Sequence, residues 1–154
     1  MADASTVVAS STLISHYSSG SSIAAAGFSV STDIATGLTS TNMKKWPRAD
    51  ITLILTQDST TSSTAMTVPL FYRALNIDAG TADEAIPTSL TQAHYAGTFL
   101  LEKTATGTQY MTILDLQLPG TVDCEFYISN ALTNRIAAGW KLLVTPKTDV
   151  GATA

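Results

Sequence analysis

Along most of this chain apolar residues recur at every second position, in short runs separated by polar stretches marked with glycine or proline. A period of two places alternate side chains on opposite faces of an extended strand. The clearest run is 51–57, where Ile51, Leu53 and Leu55 alternate with Thr52 and Thr56. Ile54 breaks the alternation and predicts partial cover on the second face. Pro47, which has no N–H for a ladder, belongs at the entrance of that strand. Further strands are predicted at 28–30, 66–73, 95–101 and 109–114, with Pro69 indicating an edge position or a bulge. A turn over 104–107 joins the last two of these, and 89–94 suits one helical turn. Residues 125–146 predict a terminal pair of strands joined by a polar, asparagine-containing connection. There Phe126, Ile128, Leu142 and Val144 share a face, Trp140 opens the second strand and Pro146 closes it.

These strands, without a convincing amphipathic helix, predict an all-β fold: an antiparallel β-sandwich, jelly-roll-like, with an extended N-terminal arm. The sandwich spans 28–148, and 149–154 form a frayed C-terminus. Residues 1–27 are rich in Ser, Ala, Thr and Gly, with apolar points at Val7, Val8, Leu13, Ile14 and Ile23. They form either a flexible tail or an arm that orders against a neighbouring subunit, with those five residues as its interface.

Composition sharpens this picture. Hydrophobic residues make up 45% of the chain and charged ones only 13%, against about 25% charged in an average protein. Low charge with abundant threonine suits shielded or assembled strands. The formal charge of -4 argues against nucleic acid as a partner, because phosphate binding needs a basic stripe. No run approaches the length of a membrane-spanning helix. The acid at Asp3 and the missing apolar segment after it predict no cleavable signal. Cys124, the one cysteine, alternates with Phe126 and Ile128 and suits a small buried hydrophobe.

Candidate chemistry is sparse. Asp78, Asp83 and Glu84 flank Gly80 in a long loop and offer the oxygen ligands of a cation site, but the flanking helices of an EF-hand are missing. Asx-turn hydrogen bonding accounts for the same residues without a metal. His16 and His94 have no G-x-S-x-G serine to serve, and zinc would need more His or Cys. Asp115, Asp123 and Glu125 could be paired as glycosidase carboxylates only in the way any acidic β-protein allows. Trp46 and Trp140 could form a sugar platform, yet an indole at a strand end more often closes the core. No catalytic residue and no cofactor is expected.

Four segments resemble tailed-bacteriophage capsid decoration (cement) and minor virion structural proteins. They are 46–51 (WPRADI), 71–78 (FYRALNID), 125–130 (EFYISN) and 138–148 (AGWKLLVTPKT). The resemblance covers about residues 28–148 and rests on pattern, with no mechanistic motif. It implies a non-enzymatic protein of the capsid exterior, made in the host cytoplasm. Its implied partners are copies of itself, as a homotrimer, and the major capsid protein. The alternative is a glycan-binding module of a phage head or tail fibre.

Overall fold

The computed structural model describes residues 6–9, 15–17, 21–27, 44, 46–57, 67–77, 83–85, 94–101, 107–120, 122–132 and 135–150. Among the described residues eight strands are found: β1 (Thr6–Ala9), β2 (Ser15–Tyr17), β3 (Arg48–Gln57), β4 (Thr67–Leu75), β5 (His94–Leu100), β6 (Gly107–Gln117), β7 (Asp123–Ile128) and β8 (Lys141–Val150). They form two antiparallel sheets. The five-stranded sheet has the order β1-β8-β3-β6, with β2 also paired to β8, and the three-stranded sheet has the order β5-β4-β7. The fold is the expected all-β sandwich. From β3 onward the chain changes sheets at every connection except β4 to β5, which is the wrapping of a jelly roll.

The period-two residues build the layer between the sheets. Ile51, Leu53, Leu55, Met111, Leu142 and Val144 enter it from the larger sheet; Val68, Leu70, Phe99, Cys124, Phe126 and Ile128 enter from the smaller. Each fully buried side chain of this size contributes about 1.5–3 kcal/mol. Ile54, the exception to the alternation, lies half-buried on the outer face opposite Tyr110.

Two expected pairings are corrected. Phe126 and Ile128 do face Leu142 and Val144, but across the sandwich and not side by side, since β7 and β8 belong to different sheets. Likewise β5 and β6 lie in different sheets and meet only along one side of the sandwich. Periodicity shows which side chains share a core. It does not distinguish neighbours in one sheet from strands that oppose each other. Pro146 does not end its strand, because β8 continues to Val150. It lies opposite Ala49, between the stretch of β8 paired to β2 and the stretch paired to β1. Pro69 sits in the central strand of its sheet, next to a register shift between Leu70 and Phe71. Pro47 immediately precedes β3, and its carbonyl accepts from the Leu118 N–H.

The described residues of the connection between β7 and β8 send Leu132, Ile136 and Trp140 into the core. Asn130 is fully buried, and it holds residues 23–27 with both backbone and side chain. Its N–H donates to Gly27 O at 2.8 Å and its carbonyl accepts the Ala26 N–H at 2.9 Å. Its Nδ2 donates to Ile23 O and Ala24 O, while its Oδ1 accepts the Leu132 N–H. Ile23 and Ile136 exchange backbone hydrogen bonds, both 3.0 Å. Gly139, at φ 90°, adopts a backbone that L side chains resist. Trp140 follows it, 1% exposed, with its indole N–H donating to Ser21 O at 3.0 Å. Buried polar groups lose stability unless paired, and every polar group of Asn130 is paired here.

Replacing Asn130 by Ala leaves two carbonyls and one N–H without its side chain. The expected loss is about 3 kcal/mol, read as a lower urea midpoint at unchanged slope. Asn130→Asp keeps the acceptor for Leu132 but loses both donations, and it should be similarly destabilised.

Candidate functional site

Two clusters of polar side chains stand among the described residues, one on each outer face. The first stands on the five-stranded sheet. Opposite Asp50 of β3, strand β6 carries an extra residue, and the register shifts between Ala49 and Ile51. Asp115 takes φ 58° at this bulge, a conformation that Asp tolerates better than most residues. Its N–H donates to Asp50 Oδ1 at 2.9 Å, and its carboxylate accepts from Arg48 Nη1 at 2.8 Å. Arg48 Nη2 also binds Asp149, and Lys147 Nζ lies 2.7 Å from Asp50 Oδ1. The bulge turns both Leu114 and Asp115 outward. Next to these ions run two neutral pairs, Thr52 with Thr112 and Thr56 with Thr108. Single exposed ion pairs contribute roughly 0–1 kcal/mol each, so this cluster chiefly secures the bulge.

The second cluster stands on the three-stranded sheet. Arg73 of β4 lies opposite Glu125 of β7 and donates from Nε to Glu125 Oε2 at 2.6 Å. Tyr127, buried beside Glu125, donates its hydroxyl to the same oxygen, and the Arg73 guanidinium lies 5.9 Å from the Tyr127 ring centre. Burial is the largest influence on Arg73 and lowers its pKa; the hydrogen bond and charge of Glu125, with Tyr127 and Asp83, together raise it above its usual value. Burial first, then the Glu125 carboxylate, raises the pKa of Tyr127. The guanidinium therefore stays charged and the phenol neutral, as a structural pair requires. Removing one partner of such a buried pair costs about 3–5 kcal/mol.

Glu84 joins this cluster to the β4–β5 connection. Its N–H donates to Ala74 O, its Oε2 accepts the Ala74 N–H at 2.8 Å, and its own carbonyl accepts from Arg73 Nη1. Its carboxylate also meets His94 Nε2 at 2.8 Å, and the His94 ring stacks on Tyr72. The edge of β4 beyond the start of β5 is thereby closed by one residue. The hydrogen bond to His94 is the main cause of a lowered Glu84 pKa; burial opposes it, and the Ala74 N–H adds to it.

The sequence-predicted residues are distributed as follows. Asp83 accepts the Asn76 N–H across the loop, from seven positions away, and Glu84 is engaged as above. Asp78 lies outside the described residues. Among the described residues no three of His, Cys, Asp and Glu gather into a metal-binding group. Asp115 and Glu125 stand on different sheets, each held by its own arginine, and Asp123 accepts from Asn76 Nδ2. Val7 and Val8 lie in β1, opposite Asp149 and Thr148 of the same chain, and His16 lies in β2 opposite Leu143. Ile23, expected in an intersubunit interface, is 3% exposed within this chain's own core. Leu13 and Ile14 lie outside the described residues, as do 28–30, 89–93 and 102–106. Arg73, Tyr127 and Asn130 carried no signal in one dimension, because their partners are remote in sequence.

No protein-family model matches this chain, and no curated protein matches it significantly.

Two expectations follow. A carboxylate with a lowered folded pKa stabilises the fold above its unfolded value and loses that contribution as pH falls through the folded one. Wild type should therefore lose stability below about pH 4.5, and Glu84→Gln should show a smaller acid loss, by under about 1 kcal/mol, in melts from pH 7 to 3. The buried Cys124 thiol is pushed up to about 12 by burial, then by Asp123 and Glu125. At pH 8 an aromatic disulfide reagent should modify it on the order of a thousandfold more slowly in the native protein than in urea.

Proposed function

We propose that this chain is a non-enzymatic structural protein of a phage virion, decorating or cementing the outer surface of the capsid. It does so through contacts with copies of itself, as a homotrimer, and with the major capsid protein. It is made in the host cytoplasm and resides on the capsid exterior. The reading originates in the resemblance of segments 46–51, 71–78, 125–130 and 138–148 to decoration proteins.

One structural observation carries it further. The polar groups of both clusters are engaged in holding the chain's own strands, while the surface keeps neutral threonine pairs and large exposed apolar side chains. Such a surface suits many weak contacts multiplied by avidity. Its low charge limits the desolvation cost of each contact. Among the described residues no helix is long and apolar enough to cross a membrane.

The glycan-binding alternative loses one of its two tryptophans. Trp140, half of its proposed platform, is 1% exposed and bonded to Ser21 O, so no sugar can stack on it.

The test is addition of the purified chain to capsids of its phage that lack it. Saturable co-sedimentation, and density on the shell exterior by electron microscopy, are expected. Absence of the chain from both reconstituted and native particles would refute the reading.

A further inference from the structure

We draw no further inference here: the strongest candidate, the outer face of the larger sheet where Tyr110 and Leu114 of β6 stand exposed beside the Thr52–Thr112 and Thr56–Thr108 pairs, is an unpartnered sheet face, and nothing in the structure shows what covers it.

Discussion

A single buried asparagine connects the two ends of this fold. Asn130 sits where β7 leaves the smaller sheet, and it bonds the segment 23–27 through its amide N–H, its carbonyl and its side-chain Nδ2, while its Oδ1 accepts the Leu132 N–H. Unpaired, a polar group so deeply buried would cost about 1–3 kcal/mol. Paired at every position, it leaves the 129–140 connection one way to run. That path carries Leu132, Ile136 and Trp140 into the core and delivers the chain to β8 in the opposite sheet. The stitch thus holds 125–146 as a crossover between the sheets and not as a hairpin.

The consequence reaches the N-terminus. With residues 21–27 held by Asn130, Ile136 and Trp140, the preceding chain lies within reach of β8, and β1 and β2 pair there in succession. The break between these two pairings falls at Thr145 and Pro146, where proline has no N–H to offer a ladder. One edge of the larger sheet is thus covered from within the chain. The opposite edge, β6, and its counterpart β5 carry exposed apolar side chains, those of β6 on the outer face of the larger sheet and those of β5 on the outer face of the smaller.

Much of this was legible in one dimension, and the residues show where legibility ended. The alternation of Ile51, Leu53 and Leu55, or of Phe126 and Ile128, identified core faces, because a period of two is a local property of extended backbone. Which strands pair is a long-range property, and periodicity carries none of it: succession along the chain suggests β7 beside β8 and β5 beside β6, yet each pair is divided between the two sheets. Trp140 could be read as a packing residue from the chemistry of indole at a strand end. Arg73 with Glu125, and Arg48 with Asp115 and Asp149, are separated by 52, 67 and 101 positions, and neither the bulge nor the buried pair leaves a local trace. In the acidic loop, Asp83 accepts the N–H of Asn76 just after β4 and Glu84 bonds Ala74 and His94, so the roles of both depend on strands formed elsewhere.

If the crossover stitch holds the sandwich together, it is as durable as the sheets it joins. Amide hydrogen exchange of the native protein, followed by NMR, tests this most directly. The Ile23, Ala26, Asn130 and Ile136 amides should exchange only through opening within about 1 kcal/mol of that protecting Leu53 in the middle of β3. Exchange at those four positions through low-energy local opening, with β3 still protected, would contradict the claim that this connection holds the sandwich together.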